Sequence, residues 1–314
     1  MVDLSYRIFR DIDDGENFGV YPALKEMPSE LFGVALATTD GRTYLAGDAD
    51  IPFTLMSVAK PFLFALVTEA VGPEEVRSRV GLNATGMEFN SVVAVELREG
   101  HFTNPMVNAG AMATLSLAPG GSAQRKWQFV LDGLSRFAGR DLKISEQVYK
   151  SVSDTNWRNQ AVARLLYAYE RLYFDPVAVT DLYTRMSTLE VTARDLAVMA
   201  ATLANGGVNP VTGNRVVDQL TCQHTLAVMT TAGLYETSGE WLFDVGVPGK
   251  SGVAGGLLAA APGKAGVASF SPRLDKSGNS VRGQLVTKYL SQELGLNIFA
   301  SGVQQTDGRR PASG

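Results

Sequence analysis

Cysteine occurs once in this chain, at Cys222, and histidine twice, at His101 and His224. A lone thiol forms no internal disulfide, which fits a reducing compartment and sets the expectation of a cytoplasmic protein. Two imidazoles so far apart leave little for a His-based metal site or a Ser-His-Asp relay. Any chemistry must draw on other bases, and no metal or organic cofactor is expected. Long apolar runs are absent too. None reaches the roughly eighteen residues that a membrane span needs, the nearest being the Ala-rich stretch around Val198 to Leu203. Lys and Arg form no block, and the net charge of −4 argues against nucleic acid or an anionic membrane as partner. The opening MVDLSYRIFRDIDDGENFG is acidic and lacks an apolar segment, so no secretory signal is expected.

What is present is a chain of 314 residues with 45% apolar side chains, ample for a large core. From Leu31, LFGVALATTDGRTYLAGD alternates loosely and turns at Thr39-Asp40-Gly41, which predicts a hairpin. From Ser57 to about Val71 the apolar residues recur as in a buried helix. Pro61 is tolerated only in a first turn, so that helix starts at or just before Ser57. Between about 72 and 210 the pattern is helical: Ala123 to Ala138, Asn159 to Leu172, Pro176 to Met186 and Thr192 to Ala204. Thr192 and Asp195 form an acidic capping box, and Asn205-Gly206-Gly207 supplies a left-handed stop. From Val208 the text turns to Gly, Val and Ser, and reads as short strands joined by Gly/Pro turns.

Sheet signals at both ends with helices between them predict an α/β (α+β) fold: one antiparallel sheet flanked by helices, with an all-helical part inserted. The expected division is 1–60 with 208–300 for the sheet domain and 61–207 for the helical domain. Residues 301–314 are polar and aperiodic, and are expected to be a disordered tail.

Ser57 precedes Lys60 by three residues. On a helix this stacks hydroxyl and amine one turn apart, which is the geometry of an SxxK nucleophile. About one such match is expected by chance in a chain this long, so taken alone the pair reads more readily as a plain helix start. Near the other end, PGKSGVAGG (residues 248–256) falls on a predicted strand edge. Serine hydrolases of the β-lactamase and penicillin-binding type pair SxxK with such a Lys-Ser/Thr-Gly strand. Its glycines let a backbone N–H face an oxyanion; taken alone it reads more readily as a Gly-rich turn carrying an exposed Lys250, but the two motifs together, in this order and at this separation, favour the catalytic reading. Between the two lies HFTNPMVNAGAMAT, where Asn108 either binds an amide or caps a helix.

The strings SVAKP, TNPMVNAGAM, LEVTARDLAVMAATLANGG, TAGLYETSGEW, VGVPGKSGVAGG and SPRLDKSGNSVRG, in that order over about residues 20 to 285, resemble the serine-dependent glutaminases. These enzymes hydrolyse L-glutamine to glutamate and ammonia. The resemblance implies a β-lactamase/transpeptidase-like fold, no cofactor, and a homodimer or homotetramer. It implies Ser57 as nucleophile, Lys60 as its base, and Tyr235 and Tyr21 as tyrosines beside them. Asn108, Asn159, Tyr183 and the backbone of Val253 fall on glutamine-contacting positions, and Lys250 is the lysine of the KSG strand.

One departure stands out. Where the family has a glutamate that receives the substrate's α-ammonium, seven residues before Asn159, this chain has Val152. An apolar side chain cannot pair with a buried ammonium. Asp154, two residues on, is a candidate substitute if the segment shifts, and otherwise a solvated acid. Three functions follow: a glutaminase, a serine amidohydrolase or esterase with another substrate, or a catalytically silent binding relative.

Overall fold

The computed structural model describes residues 1–301. The expected hairpin forms as β1 (Gly33–Thr38) and β2 (Thr43–Gly47), with Gly41 left-handed at the turn. The chain then runs through β3 (Phe53–Thr54) and the helices, and returns by β4 (Glu190–Val191) to β5 (Gly249–Ser251), β6 (Gly256–Ala261) and β7 (Ala265–Phe270). The sheet order is β2-β1-β7-β6-β5, every pair antiparallel, so the two ends of the chain meet at β1 and β7. The KSG segment is the edge strand, as its Gly-rich sequence predicts. Most of the predicted tail lies outside the described residues.

Side-chain alternation gives the sheet two apolar faces. Val34, Leu36, Leu257, Ala259 and Val267 pack against the helices Val2–Phe9 and Val281–Glu293. Ala35, Leu258, Ala260 and Ala268 point the other way, onto the helix Ala193–Ala204 and a core continuous with the remaining helices. That helix is the Ala-rich run, and of its residues only Arg194 escapes burial. Among the described residues no helix is long and apolar enough to cross a membrane. Its small side chains let it lie directly on β7, where a Cβ on Gly266 would strike the backbone of Ala197 and Ala201.

The capping box is present: Asp195 N donates to Thr192 Oγ1 (3.1 Å) and Thr192 N to Asp195 Oδ2 (2.8 Å). Gly206 and Gly207 are left-handed beyond its end. Two boundaries differ from expectation. The helix predicted from Asn159 to Leu172 spans Trp157–Ala168 and stops at Glu170, whose φ is +56°. The all-helical middle is interrupted by β4, which pairs with β3 and ties the chain just ahead of Ser57. A ladder two residues long carries no periodicity for the sequence to show.

Candidate active site

Ser57 sits in a 3-10 turn, Met56–Ala59, that runs into the helix Lys60–Val71, with Pro61 in the first turn as predicted. Met56 enters the turn at φ +45°, a left-handed conformation unusual for a non-glycine residue. Such strain costs about 1–3 kcal/mol and persists only where the surroundings enforce it. Here they do, because Leu55 N is bonded to Leu189 O (2.9 Å) and Val58 N to Leu55 O (3.1 Å).

Lys60 Nζ lies 2.9 Å from Ser57 Oγ and 2.6 Å from Asn108 Oδ1. Asn108 Oδ1 also accepts from Tyr183 OH (3.0 Å), and Asn108 Nδ2 donates to Asn159 Oδ1 (2.9 Å). Asn108 is thus fixed with its oxygen toward the amine. Lys60 is fully buried, and no carboxylate contributes to its surroundings, so burial alone pushes its pKa from 10.5 to about 7. A neutral amine keeps a lone pair. With one N–H donated to Asn108, that lone pair is free to accept the Ser57 proton.

Lys250 is also fully buried rather than exposed. Its Nζ donates to Ser251 O (3.0 Å) and lies 3.9 Å from the centre of the Tyr235 ring. Burial, and then the neighbouring Lys60, drive its pKa well down. Tyr235 OH donates to the same Ser251 carbonyl (3.1 Å). Burial raises its pKa to about 12, with the adjacent Ser57 hydroxyl pulling the other way, so the phenol keeps its proton. Tyr235 is itself left-handed, at φ +59°.

Gly252 brings the strand end against the Ser57 turn: a Cβ there would stand 3.0 Å from Leu55 O and 3.2 Å from Ser57 N. The amides of Ser57 and Val253 donate to no protein acceptor among the described residues. Ser57 N–H is one of the first-turn amides that a helix leaves unpaired.

A cavity of about 30 Å³ opens at Ser57. Of the predicted residues it is lined by Tyr21, Ser57, Asn108, Asn159, Tyr183 and Val253, while Lys60, Lys250 and Tyr235 stand behind it. Val152 lines it as well, and no carboxylate does. A larger surface pocket of about 790 Å³ shares Phe18 and Phe89 with this cavity but does not include Ser57.

Asp154 is not at the site. The segment is a helix, Glu146–Thr155, not a loop free to shift. Residues two apart on a helix point about 200° apart. Val152 therefore faces the cavity while Asp154 faces solvent, paired with Lys150 at 2.6 Å. Asn156 and Phe89 line the cavity without having been anticipated. Phe89 packs its ring 5.0 Å from that of Tyr235, and its carbonyl accepts from Asn108 N (2.8 Å). No local signal marks either residue. Among the described residues no cluster of His, Cys, Asp or Glu could hold a metal.

A sequence model of the glutaminase family matches residues 15–299. Glutaminase 2 of Yersinia pestis is 52% identical over 301 residues, covering 96% of this chain and 88% of that protein. The glutaminase of Colwellia psychrerythraea is 46% identical, covering 95% of this chain and 96% of that one. The solved structure of a probable glutaminase, YbaS, superposes with a TM-score of 0.94 at 43% identity, over 96% of this chain and 97% of that one. The β-lactamase-like architecture expected from the sequence is the one these structures share. The chain belongs to the glutaminase family.

Proposed function

We propose that this protein hydrolyses L-glutamine to L-glutamate and ammonia through an acyl-enzyme on Ser57. The observation that carries the reading is a fully buried Lys60, with no carboxylate beside it, 2.9 Å from the Ser57 hydroxyl. Lys60 takes the hydroxyl proton as Oγ attacks the side-chain carboxamide. The oxyanion is received by the free amides of Ser57 and Val253, each worth about 3 kcal/mol. Collapse breaks the C–N bond. The leaving nitrogen needs a proton, which the Tyr235 phenol supplies while Lys60 returns one to it. Water then attacks the ester by the reverse path. Asn159, Tyr183 and Tyr21 line the cavity and would hold the amino-acid end of the substrate.

Purified protein should release ammonia and glutamate in equal amounts from millimolar L-glutamine, and Ser57→Ala should abolish the release. Folded wild-type protein that is inert on glutamine would remove the assignment. A fluorophosphonate that labels Ser57 would exclude a catalytically silent relative.

Val152 in the cavity wall favours a second reading, in which the same machinery acts on an amide or ester without an α-ammonium. Val152→Glu decides between the two. If it leaves glutamine turnover and KM unchanged, the missing carboxylate has no bearing on substrate choice. We also propose a cytoplasmic homodimer or homotetramer. The single Cys222 supports the compartment, the family likeness supports the assembly, and light scattering on the purified chain tests the assembly.

A further inference from the structure

Tyr235 stands on a strained 3-10 turn, Tyr235–Thr237, while the carbonyl that receives its phenol belongs to Ser251 on β5. The turn's own bonds, Thr237 Oγ1 to Leu234 O (2.8 Å) and Ser238 Oγ to Tyr235 O (2.8 Å), fix its shape. They do not fix its distance from the strand. Asn279, which is fully buried, spans that gap. Its Oδ1 accepts from Ser251 Oγ and its Nδ2 donates to Thr237 Oγ1 (3.1 Å).

Asn279 is anchored from behind. Its N–H donates to Asp275 Oδ1 (3.0 Å), Asp275 N donates to Asn279 O (2.8 Å), and Gln284 Nε2 holds the other carboxylate oxygen (2.9 Å). One amide thus joins the turn bearing Tyr235 to the strand bearing Lys250, with its donor and its acceptor both committed. The donor end and the acceptor end are not interchangeable, so the amide sets a register as well as a separation.

We propose that Asn279 is a positioning residue, holding the Tyr235 turn against β5 so that the phenol and the Ser251 carbonyl stay in register beside Ser57. The inference rests on the reading of Ser57 and Tyr235 as partners in catalysis. Asn279 touches no substrate, so it acts through Tyr235 and Ser251. A misplacement of about 1 Å costs about 10²-fold in rate. Because the effect falls on the proton path and not on the cavity wall, it belongs to kcat and leaves KM alone.

The experiment uses Asn279→Ala, Ser251→Ala and the double variant, with wild type and Ser57→Ala alongside, each checked for fold by circular dichroism and thermal melting. Ser251→Ala removes the hydroxyl that meets Asn279 and keeps the carbonyl that meets Tyr235. Each single variant should lose about 10²-fold in kcat at near-constant KM. The double should lose no more than the worse single, because both singles break the same Ser251–Asn279 bond. Near-wild-type kcat in either single, or losses that multiply in the double, would overturn the proposal. If Asn279→Ala does not fold, Ser251→Ala decides by the same criterion. A second readout needs no turnover: the Tyr235 ring resonance, assigned by its loss in Tyr235→Phe, should move in both singles. A resonance that stays in place overturns the positioning role even if wild type proves inert on glutamine. Inert wild type with a shifted resonance would sink the glutaminase reading alone.

Discussion

Lys60 offers the sharpest test, because one physical cause predicts both a rate and a stability. Burial lowers its pKa from 10.5 to about 7, equivalent to about 5 kcal/mol against the ammonium form. As the base, Lys60 must be neutral. kcat/KM should therefore climb about tenfold per pH unit below pH 7 and level off above it. The stability effect has a definite sign. Between pH 7 and 10.5 the unfolded chain holds a proton on Lys60 that the folded chain has lost, so stability rises with pH across that window. Below pH 7 both states are protonated and the full burial penalty remains. Lys60→Met should thus abolish ammonia release yet raise stability by a few kcal/mol at pH 6, the gain shrinking toward pH 10. The change leaves Asn108 Oδ1 its bond from Tyr183 OH. Urea melts of both proteins at pH 6 and pH 9.5, with ammonia release from pH 5 to 9, measure all of this. A flat kcat/KM through neutrality, or a Lys60→Met variant equally stabilised at both pH values, would refute the neutral-base argument.

Three further outcomes follow from contacts around the site and sheet. Gly252→Ala puts a methyl within 3.0–3.3 Å of backbone atoms of Leu55, Ser57 and Val58, and should lower kcat by about 10-fold or more with little change in melting temperature. Wild-type kcat there would show that the strand does not need its close approach. Asp154→Ala removes only an exposed pair with Lys150, worth about 0.5 kcal/mol or less, so KM for glutamine and the melting temperature should both hold. A raised KM would return Asp154 to the site. Gly266→Ala drives a methyl into the backbone of Ala197 and Ala201 and should destabilise by about 1–3 kcal/mol in denaturant melts, with KM unaffected in the folded fraction.

Features fixed by neighbours in sequence were legible beforehand. The Thr192/Asp195 box, the Gly206-Gly207 stop and the hairpin turn at Gly41 each depend on a few adjacent residues, and all three form. The Ser57 and Lys60 spacing was legible for the same reason, but spacing alone matches an ordinary helix start as well. What separates the two is the surrounding dielectric and charge, which no local string carries. The Lys60 pKa falls because Asn108, Tyr183 and the KSG strand, drawn from distant parts of the chain, enclose it without bringing a carboxylate. Asp154 shows the converse. With a shift of its segment it could swing toward the substrate, whereas the helix, turning about 200° between Val152 and Asp154, fixes it on the far side. Met56 and Tyr235 in left-handed conformations, and Asn279 joining turn to strand, leave no trace in composition or periodicity. They are consequences of tertiary packing that holds strained backbone in place. The reactive pair is therefore readable as a possibility from five residues of sequence. The proposed roles of base and nucleophile rest on contacts that span the chain from Tyr21 to Asn279.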